Sequence, residues 1–269
     1  MATYDRYNKH YFMVAESLTK SFQPDIAANW QQIMRNDFPM DRGLTTLSKT
    51  AGTSYLSYRG FGPALRREML QMQDHDIWID VGGGELFAQT DFLTRSFSQG
   101  HATIAGVVSV VDPDTDNFRQ HHVMLSQEFP ERFFYMSGRR IEDIPKEELP
   151  PARIVSDLFG ALSFTEHVDI TLQRELDALK VGGLLVARLQ KAYIRDRSGK
   201  RFGIKRYAEA VQGAETLMYG WYTLVMRKTD EEIVVPPLEL VNFISGHNVP
   251  NPKNLDPKYL FCQRHYVLE

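Results

Sequence analysis

The stretch DIWIDVGGGELFAQTDFL, residues 76–93, constrains this chain more than any other. Ile77, Trp78 and Ile79 form a short apolar run, Asp80 and Val81 close it, and Gly82, Gly83 and Gly84 follow at once. An apolar run of about 4–8 residues bounded by glycines suits a strand buried on both faces. Leu86, Leu93 and Phe97 then suit a helix. Strand, tight turn and helix in that order predict an open α/β sheet, in which ligands sit beyond the carboxyl ends of the strands. Glycines there let the chain turn tightly and let a ligand approach the backbone. Two nucleotide-binding turns fail on particular letters. The dinucleotide turn G-x-G-x-x-G needs glycine or alanine at position 87, which is Phe87. The phosphate loop needs Gly-Lys-Ser/Thr, which does not follow.

The sequence beyond this stretch alternates in the same way. ATIAGVVSVV, RFFYMSG, ARIVSD and LLVARL read as further strands. FTEHVDITLQRELDALK reads as a helix with Val168, Leu172, Leu176 and Leu179 in register, stopped by Gly182 and Gly183. Strands alternating with helices predict an α/β fold with a doubly wound, mostly parallel sheet of Rossmann-like type. Residues before this region read as helical. Tyr11, Val14, Ala15, Leu18 and Phe22 fall at helical spacing, and Pro63 opens a helix with Leu65, Met69 and Met72 on one stripe. The expected organisation is an N-terminal helical cap over 1–74 and a core over 75–269, with a helical, basic insertion at 191–230. Within that insertion RYAEAVQGAETLMYGWYTLVMR reads as a helix carrying two glycines. EEIVV and KYLFCQRHYVL read as a final pair of strands; with no long helix between them, they would pair antiparallel.

Composition narrows the class. Hydrophobic residues make up 43% of the 269 and charged residues 24%, which fits a globular protein rather than a disordered one. The formal net charge is -3, so no global field draws the chain to nucleic acid or an anionic membrane. Cys262 is the only cysteine, which excludes an internal disulfide and a multi-cysteine zinc site. The polar opening MATYDRYNKHYF does not read as a secretory signal, and no apolar run nears the roughly 18–20 residues that span a bilayer. A cytoplasmic location is the expectation, without membrane or nucleic-acid partners. A homodimer remains open.

IDVGGGEL resembles motif I of the class I S-adenosylmethionine-dependent methyltransferases of small-molecule type. Asp80, Gly82 and Gly84 match its acid and alternate glycines, while Glu85 and Leu86 stand where another glycine is common. Further resemblances follow in order over residues 55–190. Asp112 in VSVVDPD stands where the family's second strand ends in an acid that binds ribose hydroxyls. SGRRIEDIP resembles the loop beside adenine, with Arg140 and Ile141 at its positions and Arg140 replacing the acid often found there. Asp157, Leu158 and Phe159 in VSDLFGALSF match the motif that follows the transferred methyl, and LKVGGLLVARL resembles the turn into strand five. The opening YDRYNKHYF is similar to the helical start that closes over the cofactor, which makes Tyr4, Tyr7 and Tyr11 candidates. Arg59 in YRGFG could pair with the cofactor carboxylate. The resemblance implies a seven-stranded sheet with an antiparallel last strand, S-adenosylmethionine as cofactor, Gly82–Gly84 against it, and methyl transfer to a small molecule.

Plainer readings stand beside these. The glycines could serve only a tight turn, Asp80 a helix N-terminus, Asp112 a turn, and the tyrosines packing. The catalytic base is unidentified; His167 and Tyr11 are weak candidates, His167 also suiting a cap or a solvent-facing position. His121 and His122 are adjacent in a polar segment, His247 in a turn-rich loop is equally weak, and no two-His-plus-carboxylate spacing indicates a metal. Between Lys191 and Arg206 lie seven basic residues and one acid, Asp196. This run reads as a solvated loop or as a wall selecting an acidic acceptor. No stacking-aromatic platform for nucleic acid is apparent. Two other functions compete: an inactive methyltransferase-like binding or partner subunit, and a nicotinamide-dependent oxidoreductase, which Phe87 disfavours.

Overall fold

The computed structural model describes residues 62–73, 76–82, 103–108, 124, 127–129, 132–137, 140–158, 160–188, 192–220, 223–244 and 263–268. Helix α1 (Gly62–Leu70) opens this part, as Pro63 leads one to expect, and buries Leu65, Met69 and the following Met72. Strand β1 (Ile77–Val81) is buried at every position. Successive side chains of a strand point to opposite faces, so a strand covered on both sides must be apolar throughout. Ile77, Ile79 and Val81 enter the main apolar cluster, while Trp78 is equally buried on the opposite face.

Strands β2 (Thr103–Val108), β3 (Phe133–Ser137), β4 (Ala152–Leu158) and β5 (Leu179–Arg188) join β1 in parallel. Two 3-10 turns, Ile141–Asp143 and Lys146–Glu148, lead from β3 towards β4. Short α2 (Ala161–Phe164) and α3 (Val168–Asp177) connect β4 to β5. Helix α3 packs Val168, Leu172 and Leu176 into the core; Leu179, expected on the same helix, already begins β5. Gly182 and Gly183 do not stop a helix. They lie within β5, where the register against β4 shifts.

The region after β5 departs furthest from expectation. Strand β6 (Ala192–Arg195) is followed by α4 (Ile204–Glu209), β7 (Ala214–Tyr219) and β8 (Thr223–Lys228). The helix read over 206–227 is therefore corrected to a short helix and an antiparallel hairpin. Both hairpin strands belong to the main sheet, whose order is β3-β2-β1-β4-β5-β8-β7, with β8 antiparallel to β5 and to β7.

Strands β9 (Leu238–Ile244) and β10 (Gln263–Leu268) form a second sheet with β6, in the order β6-β10-β9. The final strand pairs antiparallel as expected, but with β9 and outside the main sheet. EEIVV forms no strand of either sheet; it makes an isolated bridge between Gln212 and Val234 and buries Ile233 and Val235 in the core. The second sheet turns Ile194 and Tyr266 into the main core. It is fastened by the Tyr266 hydroxyl donating to the Glu166 carbonyl at 3.2 Å and the Tyr207 hydroxyl donating to the Pro236 carbonyl at 2.8 Å.

At the amino edge of the main sheet a chain of ion pairs ties α1 to three strands. Glu68 meets Arg153 at 3.2 Å and Arg227 at 3.0 Å, and Asp76 meets Arg153 at 3.0 Å and also Lys180.

Candidate functional site at the carboxyl edge

The ends of β1 and β4 lie side by side, with Val81 opposite Asp157. Two turns leave them, and the turns touch through glycines. Gly82 has φ +69°, a conformation that side chains rarely adopt, and a Cβ on it would lie 2.5 Å from Gly160 Cα. A Cβ on Gly160 would lie 2.2 Å from the Val81 carbonyl oxygen. Gly82 is thus required by its neighbour turn as well as by its own conformation. Gly160, which the sequence reading did not single out, is the other half of that contact.

Acids line these strand ends. Asp80 is fully buried and accepts a short hydrogen bond from the Ser156 hydroxyl, which itself accepts from Trp78 Nε1 at 2.7 Å. Asp157 is also fully buried. Its Oδ1 accepts from the Gly160 N–H and its Oδ2 from the Leu162 N–H, both at 2.7 Å, so this side chain holds the turn that presses on Gly82. Glu142, in the 3-10 turn after β3, accepts from the Thr165 hydroxyl at 3.0 Å through Oε1, while its Oε2 is buried without a partner.

Glu175, on α3, completes the group. It is fully buried and neither carboxylate oxygen meets a donor. Burial pushes its carboxyl well above the ordinary range, and the charges of Asp157, Glu142 and Asp80 push it further. Sequence reading missed Glu175, yet a signal was there: with Thr171 it falls on the same stripe as Val168, Leu172 and Leu176, all five buried.

The other expected positions divide clearly. Ile141 and Leu158 are buried apolar residues, Ile141 within the main core cluster. Arg140 is half-buried and immediately precedes the first 3-10 turn. His167 is exposed at the N-cap of α3, where its N–H donates to the Thr165 hydroxyl at 2.9 Å and its carbonyl accepts from the Thr171 hydroxyl at 2.9 Å. Tyr4, Tyr7, Tyr11, Arg59, Gly83, Gly84, Asp112, His121, His122, Phe159 and His247 lie outside the described residues. Among the described residues no group of three His, Cys, Asp or Glu side chains is placed to hold a metal ion. No helix among them is long and apolar enough to cross a membrane.

The described part of the basic run spans the far end of β6, a tight turn and the start of α4, where Lys205 and Arg206 lie. Asp196, its one acid, is absorbed by that turn: its Oδ1 accepts from the Ser198 N–H at 2.9 Å and the Lys200 N–H at 3.0 Å, as well as from the Ser198 hydroxyl. The Ser198 hydroxyl hydrogen bond, helped by the two backbone N–H groups and the Lys200 charge, outweighs desolvation and holds its carboxyl below the ordinary value. Arg195, Arg197 and Arg201 remain exposed. Tyr193 stacks on His265 across β6 and β10, with ring centroids 4.9 Å apart, and the Arg201 guanidinium lies 6.0 Å from the Tyr193 ring centre. The sequence reading did not anticipate this stacked pair beside the basic run.

No family model matches the chain, and no curated protein is significantly similar to it in sequence. Solved structures do resemble it. An rRNA methylase from Streptococcus thermophilus superposes with a TM-score of 0.40 at 13% identity, covering 62% of this chain and 95% of that one. A putative sarcosine dimethylglycine methyltransferase from Galdieria sulphuraria gives 0.42 at 13% identity, covering 60% and 61%. A geranyl diphosphate C-methyltransferase from Streptomyces coelicolor gives 0.35 at 13% identity, covering 48% of this chain and 43% of that one. Their names give three different acceptors. The seven strands themselves, in the order β3-β2-β1-β4-β5-β8-β7 with a single antiparallel strand beside β5, make this an α/β fold with a mostly parallel sheet.

Proposed function

We propose that this protein transfers a methyl group from S-adenosylmethionine to an acidic small molecule. The observation that carries the reading is the charge at the strand ends. Asp80 and Asp157 lie near the ends of two adjacent buried strands there, with the charges of Glu142 and Glu175 close by, next to the turn that Gly82 begins. A dinucleotide would bring its pyrophosphate to such a turn, next to buried acids that repel it. S-adenosylmethionine has a sulfonium, an ammonium and one carboxylate, so its net positive charge suits the same place. Asp80 and the backbone from Gly82 onward would hold its amino-acid end. When bound, the cofactor supplies an electrophilic methyl on a good leaving group. The task left to the protein is alignment of the acceptor and exclusion of water.

The acceptor's acidity is supported by Arg195, Arg197 and Arg201, which stand exposed after the one acid among them has been taken by its turn. A nucleic-acid acceptor is the second reading, and one observation favours it: the Tyr193–His265 stack with Arg201 beside it.

Calorimetric titration with S-adenosylhomocysteine tests the cofactor. Saturable binding that Asp80→Ala weakens strongly is expected, and folded wild-type protein showing no heat would refute the reading. Incubation with S-adenosylmethionine and a panel of anionic small molecules or short single-stranded RNA then separates the acceptors. Binding of cofactor without release of its demethylated form with any member would favour a binding subunit instead.

A further inference from the structure

We propose that the outward face of the second sheet is a binding site for a phosphate that carries a flat ring, the phosphate held by Arg195 and Arg201 and the ring stacked on the Tyr193–His265 pair. This narrows the acidic acceptor proposed above to a nucleotide-like compound, free or as a unit of a single RNA strand, and rests on that reading only for the fate of the methyl group.

Strand alternation builds the face. Ile194 and Tyr266 are buried in the main core, so their neighbours Tyr193, Arg195 and His265 point the other way. Tyr193 and His265 are partners in the parallel register, and their rings stack with centroids 4.9 Å apart and 15° between planes. The turn after β6 then folds the chain back on itself. The Asp196 N–H donates to the Lys200 carbonyl at 2.9 Å and the Phe202 N–H to the Ile194 carbonyl at 2.8 Å. Phe202 packs on the core, and Arg201 is bridged antiparallel to Arg195. Directly opposed residues of an antiparallel pair share a face, with Cβ atoms about 4.5–5.5 Å apart. Both guanidinium groups are thereby set on the face that bears the rings, and that of Arg201 lies 6.0 Å from the Tyr193 ring centre.

Like charges directly opposite each other destabilise a sheet. Nothing in the surroundings offsets this pair. Asp196, the one acid of the run, is turned to the Ser198 and Lys200 N–H groups of its own turn, and Arg195 reaches only the Gly199 carbonyl, at 3.5 Å. Among the described residues neither arginine pairs with a carboxylate. A phosphate answers both cations, since guanidinium groups bind its oxygens through paired N–H donors and also lie flat on aromatic rings. A ringless anion would leave the stack unused, and a neutral ring would leave the arginines opposed. A pair of rings serving only to join β6 to β10 would need neither arginine. The place suits an acceptor as well. Strand β6 starts at Ala192, shortly after β5 ends at Arg188 on the carboxyl edge, and Tyr266 fastens this sheet to the Glu166 carbonyl between α2 and α3.

Titration of the full chain at low salt, without cofactor, tests the site. The probes are adenosine monophosphate and a short single-stranded RNA, each beside its ringless counterpart, ribose phosphate and an abasic strand of equal length. Expected is saturable binding of a ring-bearing probe, about tenfold or more tighter than of its counterpart, which is the effect of one stacked base. Arg195→Gln, Arg201→Gln and Tyr193→Leu should each weaken it by about tenfold. Arg67→Gln removes the same charge from the exposed side of α1, at the opposite edge of the sheet, and should stay within about twofold. Arg201→Gln should melt no lower than wild type, because it relieves the opposed charges. Neither probe binding better than its ringless counterpart would overturn the proposal, and that comparison uses wild type alone. Arg201→Gln binding as wild type does would equally overturn it. The RNA binding more tightly than the mononucleotide assigns the site to a strand, and equal affinities assign it to a free nucleotide. If a probe binds as expected while S-adenosylhomocysteine does not, the methyl-transfer reading falls and the site stands.

Discussion

Adding one methyl group at Gly160 tests the contact between the two turns. In Gly160→Ala the new Cβ would sit 2.2 Å from the Val81 carbonyl oxygen and 3.0 Å from Asp157 Oδ1. The first of these neighbours is backbone in the central strand, paired on both sides, and cannot swing away as a flexible side chain could. The overlap of roughly an ångström must be absorbed by separating the β1 and β4 turns, and overpacking of this kind costs about 1–3 kcal/mol. The rigid obstacle places it near the upper end, about 2–3 kcal/mol, which lowers Tm by about 4–10 °C at this size. Gly199→Ala is the control. Gly199 has φ +81° with nothing within 4 Å of the added Cβ, so only backbone conformation is charged, about 1–2 kcal/mol. Thermal melts followed by circular dichroism compare the two, and titration with S-adenosylhomocysteine adds the functional half. Gly160→Ala should lose affinity by an order of magnitude or more, since about 1 Å of misplacement at a site is costly; Gly199→Ala should keep it. The reasoning is refuted if Gly160→Ala melts and binds as wild type does.

Two further outcomes follow from the packing. Burial alone would raise the Asp76 carboxyl, but Lys180, the Gln73 N–H and Arg153 outweigh it and hold the value below the ordinary 3.8. A depressed acid stabilises the folded state above its unfolded pKa, and that contribution disappears as pH falls through the folded value. Asp76→Asn should therefore lower Tm at pH 7 and flatten the loss of stability below about pH 4, as read from melts across the acid range; parallel curves for the two proteins would contradict the assignment. Leu172 is 1% exposed in the core stripe of α3, and Leu172→Ala should cost about 2–5 kcal/mol in urea unfolding, with a cost below about 1 kcal/mol arguing against the packing of this helix.

The legible parts of the fold were those whose signal is local. β1 reads as a fully buried strand because every one of its positions is apolar or carries a satisfied acid. α3 reads from its stripe, since Val168, Leu172 and Leu176 face one way whatever lies opposite. The β7–β8 hairpin did not read, because Ala214, Glu215, Leu217 and Met218 are good helix formers. Tertiary context overrides them: Gly213 has φ +77° and packs so closely on the Glu232 carbonyl that a Cβ would lie 2.1 Å away. A glycine tolerated in a helix and a glycine demanded by a turn look alike as letters. Of the site, Asp80 and Gly82 were legible from the strand-turn junction. Glu175 was not, because a charged letter in a helix ordinarily means solvent. Its burial follows from α3 packing on β5 and on the 3-10 turn after β3, and only the phase of the apolar stripe hinted at it.

The second sheet has a consequence for the order of events in synthesis. Its central strand, β10, is the last of the three to be made, and neither β6 nor β9 has the other as a neighbour. A nascent chain that has already emitted all seven strands of the main sheet still carries two strands of the smaller one with no partner in it. Among the described strands, these two meet no partner in this sheet until β10 is made. The described strands of the larger sheet thus all precede the one strand, β10, that pairs with both β6 and β9. Translation slowed between β9 and β10 lengthens the time for which two sticky edges wait, and it is then that this chain is most exposed to pairing with its neighbours.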